Sequence, residues 1–465
     1  MIESSEGQRS LRDALQSCVR AFTSRRIHQD YGVSEKRVWE PGAPGFMVPR
    51  DVQEPSWWIE ARLDFFKGPE WDGIAAAADA WPALHELIGK RIATDAGTEN
   101  KMSLQRLVDP FIPQPYWDRE TQAPALPQFE RRTFDEMFER FAKFVETPML
   151  TYTTTTLLVG LRADLEMLPL RISDDVSIIA LSDAEVQELG AQDLVPIPHG
   201  NPRDLFAWPG FPWLALRHER RLVRRLPTDE SFETQERANE EMHERIHAAI
   251  LRSLALLRYG VVGLGGSISR HSDWDFRTAT IRRPRVETPS MFSLSERNLQ
   301  IMPEDAGLLA SLFNRLIHRN DDDAIGIATR RLEFAMEKKR PEDRFIDGVI
   351  AAEAIFGSDG NSEVTYRVAL RLAFALKVDD AQQRMRVFKF VKRAYAVRSS
   401  IVHGNRPSDR DVVDLDGSRV MLSQHMRVAE DLIRAAVREA VLTTEGPFRH
   451  EVWDEKILAV TPQLR

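Results

Sequence analysis

From Pro303 to the C-terminus the chain carries an unbroken series of segments with helical apolar period, and that series constrains its architecture more than any other feature. The stretches 304–319, 322–338, 343–356, 362–377, 380–403 and 419–442 each place apolar residues at three- and four-residue steps. Turn clusters such as FGSDGNSE and HGNRPSD separate them. Six such segments over about 140 residues predict one helical bundle of ordinary domain size.

The preceding sequence has a different texture. From Thr147, TPMLTYTTTTLLVGL, EMLPLRI and VSIIAL are rich in β-branched residues, and PGFPWLALRHERRLV follows, which predicts a small, mostly antiparallel sheet. A long helix is expected from Phe232 to Tyr259, ending at Gly260, then a Gly-rich loop in GVVGLGGSISR and one more strand in WDFRTATIRR. Before residue 146, helical stretches at Leu11–Arg25, Trp71–Ile92 and Phe134–Phe144 alternate with Pro- and Trp-rich connections. The expected fold class is therefore α+β, mainly α. It divides into a mixed N-terminal region (1–145), a strand-rich α+β domain with a long helix (146–300) and a C-terminal helical domain (301–465).

A chain of 465 residues exceeds one ordinary core, which agrees with that division. Cys18 is the only cysteine, so neither an internal disulfide nor a thiolate zinc knuckle is available, and a reducing, cytoplasmic location is expected. The N-terminus lacks a basic start followed by an apolar run, and no later run reaches membrane-spanning length, so no membrane association is expected. A net charge of −8 repels nucleic acid unless cations are segregated. They are segregated: Arg384, Arg386, Lys389, Lys392, Arg393, Arg398, Arg406 and Arg410 lie between Ala381 and Arg410, where Asp409 is the only acid.

Within this segment Phe388, Val391, Tyr395 and Val402 form an apolar stripe that also takes in Arg398. A guanidinium in an apolar seam needs a carboxylate or an anion, because left alone it costs several kcal/mol or about that order. Glu353 and Glu363 are the candidate partners. Five residues on, His403 is followed by Gly404 and Pro407, which place the imidazole at a helix C-terminus, where the partial negative charge favours the protonated ring. Histidine and arginine together suit metal-free RNA cleavage: a base for the 2′-hydroxyl, a cation for the phosphate and an acid for the leaving oxygen. On an ideal helix the two residues lie roughly 140° apart, so they meet through the arginine's reach, local unwinding or a facing copy of the helix.

YAVRSSIVHGN, together with VIAAEAIFGSDGNSEVTYRVALRLAFAL and ATRRLEFAME, resembles the Apea-like branch of the HEPN family of prokaryotic ribonuclease and binding domains. The resemblance covers residues 300 to 443 and, more faintly, the strand-rich middle. Arg398 and His403 match the family's Arg-x4-His motif, with Ser399 as its polar residue after the arginine. The resemblance implies a homodimer in which two motifs share one cleft and cut RNA to a 2′,3′-cyclic phosphate without a cofactor or metal. It also implies a role in phage defence or as a toxin. Expected supporting residues are Ser399 and Glu353, and expected RNA contacts are Lys392, Arg393, Arg406 and Arg371. The other 300 residues are expected to sense a trigger or restrain the dimer. The alternative within the family is a non-catalytic dimerisation module that binds a nucleotide or partner. On the plainest reading Arg398 is a core ion pair with Glu353, His403 an exposed cap, and Arg367 and Arg371 members of a solvated face four residues apart after Glu363.

Weaker signals compete. His243-Glu244-Arg245-Ile246-His247 spells the zinc-peptidase pattern H-E-x-x-H on a helix, but Glu241 and Arg245 are charged, and a solvated amphipathic face is the competing explanation. Gly263, Gly265 and Gly266 lack phosphate-loop spacing and suggest a tight turn. Asp321 to Asp323 suit helix capping. Trp57 and Trp58 suit a core.

Overall fold

The computed structural model describes residues 5–23, 33–41, 47–55, 66, 69–88, 103–113, 116–118, 123–182, 185, 213–223, 229–271, 280–282, 299–338, 340–357, 363–376, 380–408, 410–446 and 448–459. The protein is mainly helical with a small antiparallel sheet. Its contacts group into two compact units that interleave along the chain: 1–157, 179–241 and 265–285 in the first, and 158–178, 242–264 and 286–465 in the second. Trp57 and Trp58 lie outside the described residues.

In the first unit, helices α1 (Glu6–Thr23), α2 (Pro69–Asp79), α3 (Pro82–Leu87), α4 (Leu104–Val108) and α5 (Arg131–Glu146) surround an aromatic core. Phe134, Phe138 and Phe141 recur at four- and three-residue steps on α5, so one face of it is phenyl rings. They meet Phe111 and Trp81, whose Nε1 donates to Glu146 at 2.8 Å. The continuous helix expected over Trp71–Ile92 is instead broken, because Pro82 forces Trp81 into an extended conformation (φ −103°, ψ 100°). Strands β1 (Val33–Pro41) and β2 (Met47–Pro55) form an antiparallel pair, as do β3 (Tyr116–Asp118) and β4 (Ala123–Ala125).

The TYTTTT run is strand β5 (Met149–Val159). Next along the chain come β6 (Leu161–Arg162), β7 (Leu170–Arg171), β8 (Val176–Ala180), β9 (Leu214–Val223), β10 (Gly263–His271), β11 (Thr280–Arg282) and β12 (Leu299–Gln300). Within the first unit the strand order is β11-β10-β5-β9-β8. Thr154 and Thr156 project from one face of β5 and bond Ser269 (2.9 Å) and Ser267 (2.8 Å) of β10, so four buried hydroxyls satisfy one another. The glycine cluster is not a tight turn: Gly263, Gly265 and Gly266 lie in β10. A Cβ on Gly265 would stand 2.9 Å from the Cβ of Leu157, so glycine permits a close approach inside a sheet.

Helix α6 (Asp229–Leu257) belongs to the first unit through Glu241 and to the second from Met242. The second unit also holds the β6–β12 parallel pair and the antiparallel pairing of β7 with Ser177 and Ile178. All six expected C-terminal helices are present: α7 (Ala306–Leu316), α8 (Ala324–Glu337), α9 (Pro341–Phe356), α10 (Val364–Ala375), α11 (Ala381–Val402) and α12 (Leu422–Thr443). Helix α12 is the hub, touching each of α7 to α11. Its buried positions Met426, Ala429, Ile433, Ala436, Val437, Ala440 and Val441 supply an apolar surface on more than one side. Asp323 caps α8, its side chain accepting from Gly326 N at 2.7 Å. Asp321 instead pairs with Arg252. A seventh helix, α13 (Glu451–Leu458), was not expected; Trp453 anchors it, 2% exposed, against Phe356.

Candidate active site

Arg398 and His403 sit on the last turn and cap of α11. The helix starts at Asp380, whose carboxylate accepts from Gln382 N and Gln383 N. It ends at His403, because Gly404 adopts φ +70°. Gly404 N bonds Ile401 O (3.0 Å) and Asn405 N bonds Ser400 O (2.8 Å), the paired closure of a Schellman motif. The glycine stop predicted from HGN is therefore the device that places the imidazole at the helix end. His403 is exposed and so is Ser399.

Arg398 is half-buried, and its Nε is buried without a hydrogen-bond partner. The expected ion pair with Glu353 or Glu363 is not made: among the described residues Arg398 has no ion pair. Glu363 is exposed and held at φ 59° at the start of α10. Half-buried Glu353 faces the hydroxyl of Tyr395 instead, one turn before Arg398. Burial and the nearby Glu353 charge push the Tyr395 hydroxyl well above the ordinary tyrosine range, and Arg398 pulls it the other way. The Tyr395 oxygen makes no hydrogen bond of good geometry, so Tyr395 and Arg398 each bring a buried polar atom without a partner to the neighbourhood of Glu353. Sequence reading placed Tyr395 in the apolar stripe. Its hydroxyl, which seeks a partner when buried, was the overlooked signal.

The buried stripe of α11 differs from the expected one. Val387, Phe390, Val391, Ala394, Tyr395 and Val397 are buried, whereas Phe388 is half-buried and Val402 is 50% exposed. Arg398 thus lies at the margin of the core, where a guanidinium can reach solvent.

The expected RNA contacts divide. Lys392 and Arg406 are exposed, and Lys392 lies over the Phe388 ring at 5.7 Å. Arg393 is half-buried beside the Asp414–Ser418 turn, its Nη1 close to Gly417. Arg371 is not available to RNA. It is 5% exposed, forks onto Asp454 of α13 (Nε–Oδ1 3.0 Å, Nη2–Oδ2 2.8 Å) and donates to Gly357 O (2.6 Å). Nor is it on a solvated face, since its donors secure the end of α9 to the C-terminal helix.

The loop after the motif is clamped by His425, which is fully buried. Its Nδ1 lies 2.7 Å from Val413 O, and a carbonyl only accepts, so Nδ1 carries the proton. Nε2 has no partner, and burial holds the ring's pKa below the ordinary range.

His243 and His247 do lie side by side on one helix face, with ring centroids 3.9 Å apart and planes tilted by 58°. His243 is buried at 4%, so this is not a solvated helix face. Among the described residues no group of three or more His, Cys, Asp or Glu could hold a metal ion, which leaves the H-E-x-x-H pattern without a third ligand there. No helix among the described residues is long and apolar enough to cross a membrane. Comparison with known protein families, with curated proteins and with solved structures finds no match to this chain.

Proposed function

We propose that the protein is a metal-independent RNA endonuclease of HEPN type that acts as a defence or toxin effector. The observation that carries this reading is Arg398: a half-buried guanidinium without an ion pair among the described residues, five positions before an exposed histidine on a helix cap. A structural arginine at a core margin is ordinarily paired, and one left unpaired suits an anion supplied from outside. The acid-free run of α11 supplies the surrounding positive charge.

In the proposed reaction one His403 takes the proton of the 2′-hydroxyl, and the 2′-oxygen attacks phosphorus. Arg398 neutralises the charge growing on the phosphoryl oxygens. The bond from phosphorus to the 5′-oxygen breaks, and that oxygen leaves with a proton from the partner subunit's His403. The products are a 2′,3′-cyclic phosphate and a 5′-hydroxyl. One imidazole cannot be base and acid in the same step, so a homodimer with two facing motifs is part of the proposal.

The test is incubation of purified protein with cellular RNA in EDTA, beside Arg398→Ala and His403→Ala. Wild type is expected to produce cyclic-phosphate ends and both variants to lose at least about a hundredfold in rate. Wild type that leaves RNA intact, or variants that cut as well as it does, would end the nuclease reading.

A further inference from the structure

Upstream of the motif, α10 and α11 present a seam of aromatic rings under cations. Tyr366 is 47% exposed and meets half-buried Phe388 edge-on, with centroids 5.3 Å apart. Lys392 lies over Phe388, and Arg384 lies 4.6 Å from the centroid of Phe374. Met385, 50% exposed, continues the apolar surface. Neither helix carries an acidic residue: VTYRVALRLAFA and AQQRMRVFKFVKRAYAVRSSIV hold only basic charges. The only acids beside them are the caps Glu363 and Asp380 at the two helix starts, and an aromatic seam between helix bodies that carry cations alone is poorly matched to a basic partner and well matched to a polyanion with flat apolar faces.

Phe388, Lys392, Ser399 and His403 stand at steps of 4, 11 and 15 residues, which places them within about 60° of one another on an ideal helix. Phe388 lies roughly 15 Å along the axis from Arg398, a span of a few nucleotides. We propose that Tyr366 and Phe388 form a base-stacking platform that binds single-stranded RNA, with Lys392, Lys389 and Arg384 neutralising its backbone, and thereby restricts the substrate to unpaired segments. This rests on the nuclease reading for the direction in which the strand runs, toward Arg398. A paired base has both faces covered by its neighbours, whereas an unpaired one can lie on a tyrosine ring, so the platform selects strandedness and tolerates sequence.

The test separates binding from cutting. In a His403→Ala background with EDTA, a short fluorescent RNA of mixed sequence is titrated by anisotropy, both as single strand and as duplex. Tyr366→Ala is expected to weaken single-strand binding about tenfold, within the range of one lost base stack. Tyr366→Trp is expected to retain it, and Lys392→Gln to weaken it and flatten its salt dependence. Leu458→Ala removes an exposed apolar side chain elsewhere and is the control for non-specific effects, expected to leave affinity unchanged. An unchanged thermal midpoint in Tyr366→Ala confirms that folding is intact. Single-strand affinity that ignores Tyr366 overturns the platform and assigns the seam to a protein partner, even if the wild type cuts RNA. Tyr366-dependent binding without cutting by the wild type supports the platform and ends the nuclease reading alone. Absence of binding to either RNA overturns both.

Discussion

Replacing Glu333 by glutamine should change the way stability depends on pH, and the structure gives the sign. Arg252, 7% exposed, is shared between two carboxylates. Asp321 takes both terminal nitrogens, Nη2–Oδ2 at 3.1 Å, and remains half in solvent; Glu333 receives only Nε, at 3.2 Å, from a mostly buried position with its side chain 16% exposed. The pair therefore diverges. Arg252 holds the Asp321 carboxyl below its ordinary range, while burial raises Glu333 from 4.5 to about 7, with Glu337 and Asp321 adding to the rise and Arg252 opposing it. An acid whose folded pKa is raised binds its proton more tightly when folded. Its contribution is complete below about pH 4.5 and is lost as pH climbs through about 7. At about 1.4 kcal/mol per pH unit of displacement, the whole effect is on the order of 3 kcal/mol. Glu333→Gln cannot titrate, so relative to wild type it should gain roughly 2–3 kcal/mol on going from pH 5 to pH 8. Urea unfolding of both proteins at the two pH values measures this. A stability difference that stays the same at pH 5 and pH 8 would refute the assignment of a buried proton to Glu333.

Three further outcomes follow from the same packing. Arg371→Ala leaves the Phe356 and Gly357 carbonyls without donors and unfastens α13, and should cost roughly 2–4 kcal/mol in urea unfolding while leaving RNA affinity unchanged. A loss of affinity without a loss of stability would return Arg371 to the RNA surface. The lowered pKa of His425 means that its contribution is present above about pH 6.5 and lost as pH falls below. Amide exchange over Asp411–Ser418, corrected for its intrinsic pH dependence, should therefore accelerate on acidification, and His425→Phe should abolish that acceleration. Gly265→Val should cost about 1–3 kcal/mol by pressing on Leu157, with partial recovery in the Leu157→Ala double variant; equal costs in both backgrounds would show that the close approach is not the cause.

The helices of the last third were legible because each has a local cause. Apolar residues at helical steps mark α7 to α12, Asp323 and Asp380 cap two of them, and Gly404 stops α11 where HGN said it would. The same is true of β5 and β8, whose β-branched runs have little helical alternative. Pro82 is as legible as Gly404, because the residue before a proline disfavours helix and so marks the break at Trp81.

What the sequence could not decide is which charges face one another, because partners are brought together by packing across long separations. Arg398, Arg371 and Glu353 look alike on a helical wheel, as charges near an apolar face. Packing alone makes Arg371 an internal fork to a residue 83 positions away, turns Glu353 toward Tyr395, and leaves Arg398 unpaired at the core margin. The glycine cluster is the same lesson in the backbone: only the approach of Leu157 to Gly265, from a strand over 100 residues earlier, makes it a strand rather than a turn. Period and caps are written within one turn of helix and can be read there. Electrostatic roles belong to the assembled interior and appear only once the chain has closed on itself.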